Sequence, residues 1–385
     1  MKIQELRTAK DEYWTTVSAL IDDFELWYKV PSAYAVTQTV DPFVAAALLP
    51  AMLNAETIEV GNGLSVSKRL KSNLYHLQEI YHSWNPELKM IEIDSDFTHS
   101  NETPVNKGAV SFFSGGVDSM YTFLKQQNDL THVIYINGFD FFEDESVSEM
   151  AISRNSRFVH SFGKKLIPVA TNFYHFGYKF RFNRNLSQGS QLGSIAILLS
   201  FPRTYIPASF SYSQMYPLGS HPLTDPLWTT ESMEVVHDGC EANRAEKILR
   251  IRDNKAALSN LRVCFKDMNN NCGECSKCIR TMIVLNLLDI KTDSFPQLPP
   301  IKVLRNRVID GVAERIFLKE SIDLVKMQNQ TRLIRALKNS YKRQLIKQVT
   351  RDLDLIFLNG WLLDFYKRKI IRRSFNKSID TLPVA

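Results

Sequence analysis

The stretch Ser114-Gly115-Gly116-Val117-Asp118-Ser119, with its flanks from Gly108 to Tyr121, constrains the fold more than any other part of the chain. Ala109 to Phe113 is a short apolar, aromatic-rich run, which suits a buried strand of a parallel sheet. Two glycines then allow a tight turn with backbone N–H groups turned inward. Asp118 and Ser119 open a helical run from Met120 to Gln126, and the free N–H groups and positive dipole end of such a helix favour an anion. Strand, Gly-Gly turn and helix start together predict a phosphate cradle. It is not the G-x-x-x-x-G-K-[ST] loop, because the spacing is shorter and no lysine follows the glycines. An ordinary serine/glycine turn is the plain alternative.

Downstream, strand and helix signals alternate. Thr131 to Asn137 reads as a strand ending at Gly138, and Val147 to Lys165 as a helix. Ile167 to Thr171 is a strand, Ser190 to Ser200 a helix, Thr204 to Ser209 a strand, and Glu234 to His237 a further strand candidate. Alternation with short connections predicts an α/β fold, a parallel sheet with helices on both faces. Ligands then gather at the carboxyl ends of the strands, where the Ser114 loop lies.

Upstream, Met1 to Ile93 carries mixed signals and reads as a small N-terminal α+β domain. Asp41-Pro42 opens a helix through Leu53, and Val66, Leu70, Leu74, Leu77, Tyr81 and Trp84 share one helical face. Beyond Asp289 the pattern becomes helical, with Ile334, Leu337, Tyr341, Leu345 and Val349 in one stripe. The expected division is 1–105, 106–290 and 291–385.

Charge separates these regions. From Ile301 to Ala385 there are 19 Lys+Arg against 8 Asp+Glu, a surplus of +11; the whole chain carries +6, so the remainder carries −5. A basic C-terminal helical region is either a solvated face or a contact for nucleic acid or an acidic protein. The N-terminus lacks a signal-peptide apolar segment, and the longest apolar run, Phe43 to Leu53, contains Pro50 and is too short to span a bilayer. With four of five cysteines clustered, no disulfide framework is expected and a reducing cytoplasm is.

Those four, Cys264, Cys272, Cys275 and Cys278, form two overlapping C-x-x-C steps plus a fourth thiol that can close a tetrahedron. Zn²⁺ with four sulfur ligands and no open position is a structural site. Redox or persulfide chemistry is the competing reading, and a loose set of free thiols the plain one.

The Ser114–Ser119 loop resembles the pyrophosphate loop of the ATP pyrophosphatases (PP-loop enzymes), whose fold is of the adenine nucleotide alpha hydrolase (HUP-like) kind. Combined with C-x7-C-x2-C-x2-C and Arg280-Thr281-Met282, the stretch from Lys107 to Leu288 is similar to the 7-cyano-7-deazaguanine synthase branch. The resemblance implies that ATP is cleaved to AMP and pyrophosphate while a carboxylate, 7-carboxy-7-deazaguanine-like, is adenylated and captured by ammonia or another amine. It assigns Ser114, Gly115, Gly116, Val117, Asp118 and Ser119 to the phosphates, with Asp118 on Mg²⁺ (helix capping being its ordinary role). Ile136 and Gly138 fall at the strand end where the resemblance places adenine and ribose, plain apolar core being the alternative there, and the four cysteines take Zn²⁺. The N- and C-terminal regions and the segment from Tyr216 to Trp228 depart from that branch and leave the acceptor open. Branch members in bacterial antiviral gene clusters are thought to attach a deazaguanine to a protein, which adds a macromolecular acceptor, protein or nucleic acid, reached through the basic C-terminal region. A tRNA-modifying sulfurtransferase and a non-catalytic nucleotide-binding subunit of a defence complex are the rival expectations.

Lys179, Arg181 and Arg184 stand between a strand and a helix, as cations to close over the triphosphate or as exposed surface charge. Ser220, His221 and Asp225 occupy a Pro-interrupted loop that can line an acceptor pocket, although Asp225-Pro226 also fits a helix start. His237, Asp238 and Arg244 follow a strand and precede a helix, as contacts for acceptor or phosphate or, by default for the histidine, as a structural group; Cys240 is the unclustered thiol, inert or the spare nucleophile of a sulfur-transfer enzyme.

Overall fold

The computed structural model describes residues 1–100, 103–138, 145–182, 184–264, 266–267, 270–306, 312–327, 331–358 and 361. The chain forms two compact units, Met1–Cys272 with Lys291–Pro296, and Gly273–Ile290 with Gln297–Ala385.

The first unit opens with β1 (Lys2–Lys10), β2 (Trp14–Ile21) and β3 (Phe24–Pro31). Next come α1 (Asp41–Asn54), β4 (Ile58–Val60), β5 (Ser65–Ser67), α2 (Lys68–Trp84), β6 (Ile93–Asp94) and β7 (Phe97–His99). Helix α1 begins where Asp41-Pro42 predicts and is buried almost all round, as its unbroken apolar composition requires. Helix α2 is capped by Ser67, whose side chain accepts from Leu70 N, and it buries Leu70, Leu74, Leu77 and Tyr81 on one face.

The α/β alternation follows: β8 (Ala109–Phe112), α3 (Val117–Lys125), β9 (Leu130–Asn137), α4 (Glu145–His160), β10 (Lys165–Thr171), α5 (Phe173–Phe180), α6 (Arg184–Leu199), β11 (Arg203–Pro207), β12 (Glu234–Asp238), α7 (Arg244–Arg252) and α8 (Lys255–Asn260). Ten strands make one sheet in the order β12-β11-β8-β9-β10-β3-β2-β1-β4-β6. Strands β12 to β10 are mutually parallel, and the β1–β3 meander joins them through the antiparallel pairing of Ala170 with Lys29 and Thr171 with Tyr28. The mixed signals of Met1–Ile93 thus include a strand meander over Lys2–Pro31, whose first strand is mostly exposed and has its alternation broken by a register shift between Gln4 and Arg7. Residues 1–105 therefore supply the far half of this sheet.

Chain order along the parallel half identifies a switch point. From β8 the chain steps outward to β9 and β10, then returns to lay β11 and β12 on the other side of β8. Ligands of such sheets bind where the direction of winding reverses, at the carboxyl ends of the strands. That place is the end of β8, where the Ser114 loop begins.

The second unit contains α9 (Ser276–Leu287), α10 (Ile301–Asn306), α11 (Val312–Met327) and α12 (Thr331–Leu358) around Ile279, Ile283, Leu304, Leu318, Ile322, Val325, Leu333 and Leu337. The expected α12 stripe divides: Ile334, Leu337 and Tyr341 pack on this core, whereas Leu345 and Val349 are exposed.

Candidate functional site

Between β8 and α3 the backbone makes the turn that two glycines permit. Gly115 lies at φ +77°, a region costly for any residue with a Cβ. Gly116 is the extended N-cap of α3 and offers no capping side chain to the first turn. Within the loop, Ser119 Oγ donates to Gly116 O (3.2 Å) and accepts from Ser114 N (3.3 Å), while Gly116 N donates to Ser114 Oγ (3.3 Å).

A Cβ at Gly115 would come within 2.9 Å of Asn155 Oδ1. Asn155 is fully buried in α4; its Oδ1 accepts from Asn260 Nδ2 (3.2 Å), and its Nδ2 has no hydrogen-bond partner among the described residues. A buried amide donor beside a glycine turn suits an anion that brings its own acceptor oxygens.

Cations converge on the same place. Asp118, in the first turn of α3, lies 3.3 Å from Arg244 Nη1 and 3.1 Å from Lys247 Nζ, and both cations are buried while the carboxylate is 23% exposed. Lys247 Nζ also donates to Ala208 O (2.6 Å). Arg244 and Lys247 are three residues apart in the first turn of α7, which starts with a capping box between Asn243 and Glu246. A helix dipole disfavours cations there, so nearby negative charge must compensate. On the other flank Arg154 is held below the usual guanidinium range, first by burial and then by the charge of Arg262. Arg262 N donates to Gly115 O at 2.9 Å.

Helix α3 is tied down from β12. Asp238 accepts from Thr122 Oγ1 (2.8 Å), Lys125 Nζ (2.9 Å) and Gln126 Nε2 (2.9 Å), so it anchors α3. Ile136 is half-buried on β9 beside Val169. Gly138 lies at φ +88°, and a Cβ there would meet Thr171 O at 2.1 Å, so only glycine fits this strand end.

Lys179 and Arg181 are placed differently from the expected clamp. Lys179 lies in the last turn of α5 and donates to Asp23 at 2.6 Å; Arg181 is the exposed left-handed C-cap. The side chain of Arg184 lies outside the described residues.

A second ionic cluster is sealed. Asp225, wholly buried at the start of a 3₁₀ turn (Asp225–Trp228), accepts from Ser220 Oγ (2.8 Å) and pairs with His237 Nδ1 (2.6 Å). Burial alone would lower the His237 pKa, but the bonds to Asp225 and Cys240 outweigh it and hold the imidazole up at about 9. His221, stacked edge-on against Trp84, is pushed down by burial and then by His237. Cys240 is buried.

The four clustered thiols do meet. Sγ atoms of Cys264, Cys272, Cys275 and Cys278 lie within 4.8 Å of one another, so the cluster can hold a metal such as zinc. Cys264 Sγ accepts from Lys266 N (3.3 Å) and Asp267 N (3.2 Å), and Cys275 Sγ from Cys278 N (3.4 Å). Burial raises the Cys264 pKa, yet the backbone N–H groups of Cys272, Asp267 and Lys266 prevail and draw it down to about 6, toward the thiolate a metal needs.

Sequence reasoning missed Asn155, Arg154, Lys247 and Arg262. Only Lys247 had a local signal: Asn243 and Glu246 mark a helix start, and two cations in a first turn break the dipole preference. Fold and site together define an α/β protein with an anion-suited loop at the sheet's switch point and a cluster of four thiols that could hold a metal. No known family, characterised protein or solved structure matches the chain. Among the described residues no helix is long and apolar enough to cross a membrane.

Proposed function

We propose that this chain is an ATP-dependent, AMP- and pyrophosphate-forming ligase that adenylates a carboxylate and passes the acyl group to ammonia or another amine. The observation that carries the reading is the loop itself. At the end of β8 a left-handed Gly115, packed against the buried Asn155 amide, leads into an uncapped helix start whose Asp118 is held by Arg244 and Lys247. These groups fit a polyphosphate.

In this reading Ser114, Gly115, Gly116 and Ser119 hold the β,γ-phosphates. Asp118 with the loop hydroxyls is the hard-oxygen set that would hold Mg²⁺, which supplies neutralisation of phosphate charge. A carboxylate oxygen of the acceptor attacks the α-phosphorus, the bond to pyrophosphate breaks, and an acyl-adenylate forms. The amine then attacks the acyl carbon, an amide forms, and AMP leaves. Arg244 and Lys247 stabilise the charge that develops on the departing pyrophosphate, and no nucleophile–base triad is needed. Zn²⁺ on the four cysteines would brace the structure without touching substrate.

The acceptor is proposed as a 7-carboxy-7-deazaguanine-like base, on the strength of the motif resemblance, with a protein or nucleic acid as the alternative acceptor. The sulfurtransferase rival draws no support from Cys240, which is buried. The assay is pyrophosphate release with ATP, Mg²⁺ and 7-carboxy-7-deazaguanine. The double variant Ser114→Ala, Asp118→Ala is expected to lose it; release at the wild-type rate would remove the loop from the chemistry.

A further inference from the structure

We infer that the four-cysteine centre is the rear anchor of the phosphate loop, with Arg262 as the positioning residue that joins them. Metal binding would then preset the loop for nucleotide, although the metal touches no phosphate. The inference rests on reading the loop as a nucleotide site, and its test separates the two.

The connection is the five-residue segment Asn260–Cys264. Toward the loop, Asn260 Nδ2 holds Asn155 Oδ1 (3.2 Å), and Asn155 is the side chain packed against Gly115. Arg262 N donates to Gly115 O (2.9 Å), and Arg262 O lies 3.8 Å from where a Cβ of Gly116 would be. Both glycines of the turn are thus backed by the same few residues.

Toward the metal, Arg262 Nη2 donates to Asp267 O (2.8 Å), and Asp267 N in turn donates to Cys264 Sγ (3.2 Å). Val263 N donates to the buried Asn271 Oδ1 (2.8 Å), whose Nδ2 returns to Leu261 O (2.9 Å) and Ser294 O (2.7 Å). Asn271 immediately precedes Cys272. Two ligand-bearing positions, Cys264 and Cys272, therefore grip the segment whose other side grips Gly115.

Glycines lose the most backbone entropy on ordering, so a Gly-Gly turn is pre-organised only if something outside it holds it. A metal on the four sulfurs would cross-link Cys264 and Cys272, so its loss frees these two positions first. The Arg262 Nη2 bond to Asp267 O is then weakened, and the N–H bond on Gly115 O with it. Coupling of this kind between two sites is typically 5- to 150-fold in affinity and is reciprocal.

The test uses the full chain and α,β-methylene-ATP with Mg²⁺, titrated calorimetrically. Stripping zinc from the wild type is expected to weaken binding about tenfold, and Arg262→Ala with zinc retained to weaken it by a similar factor. Stripping zinc from Arg262→Ala should then add little, and Arg262→Lys, which can still reach Asp267 O, should recover part of the loss. Equal effects of zinc removal in wild type and Arg262→Ala would overturn the inference. A second readout needs no nucleotide: hydrogen exchange at the Arg262 amide and across 113–119. It should quicken on zinc loss, and in Asn271→Ala with zinc bound; unchanged exchange would refute the anchor. If the wild type binds no analogue, the nucleotide reading falls, and the exchange result decides the anchor alone.

Discussion

Asp118 on α3 and Asp225 at the start of a 3₁₀ turn are both carboxylates held by buried cationic partners, and they are built for different ends. Asp225 is wholly buried; His237 and Ser220 meet one of its oxygens, and a 3₁₀ turn covers it. Asp118 is partly open, and its partners Arg244 and Lys247 are the buried members of the cluster. A sealed pair of opposite charges can only stabilise or destabilise the fold. An open carboxylate at a bare helix start, between two buried cations, can exchange partners with an incoming anion or metal. Exposure, rather than charge count, separates the structural cluster from the candidate chemical one.

Substitutions can break that contrast. The largest effect is expected at Lys247: Lys247→Met should slow pyrophosphate release by about 10²- to 10³-fold, the usual loss when a charge-stabilising donor is removed. Asp225→Asn should leave the rate near wild type. Comparable losses in both variants would erase the distinction.

Asp225→Asn should instead cost stability, on the order of 3 kcal/mol at pH 6, judged from a His237 pKa near 9 against its ordinary 6.5. Because that pKa is raised, the contribution is complete below about pH 6.5 and drains away as pH climbs through about 9. Chemical denaturation of the wild type across pH 6 to 9.5 should show this decline, and Asp225→Asn should flatten it. A flat wild-type profile would mean that His237 is not charged in the fold.

Gly115→Ala sharpens the comparison from the loop side. A Cβ at φ +77° costs about 1–2 kcal/mol, and here it also presses on Asn155. Weaker binding of α,β-methylene-ATP with a small drop in melting temperature is expected; unaltered binding would mean that the turn's shape is irrelevant to the ligand. The smallest effect belongs to Lys179→Ala. Its ammonium is taken by Asp23 on an exposed pair, so neither nucleotide binding nor melting temperature should shift measurably.

What could be read from the sequence was local. Ser114–Ser119 showed itself because strand, glycines and helix start are contiguous, and the cysteines because their spacing is short. The cations could not be read in the same way. Arg154, Arg244, Lys247 and Arg262 come from three separate segments, and only the winding of β8, β9 and β12 brings them to one turn. Lys179 and Arg181 looked suitable because they follow a strand, but helix α5 gives Lys179 to Asp23. The N-terminal meander was hidden for a related reason. Its bulged first strand lacks clean alternation, and its place is set by pairing Tyr28 and Lys29 with residues more than a hundred positions away. In α12 periodicity located a real stripe but could not tell that the core ends after Tyr341.

The most direct measurement is a crystal structure of the chain with α,β-methylene-ATP and Mg²⁺. The account predicts the β,γ-phosphates against the backbone N–H groups of Gly115 to Ser119, within reach of Asn155 Nδ2 and of Arg244 or Lys247. Nucleotide bound elsewhere, with this turn still closed on its own serines, would contradict it.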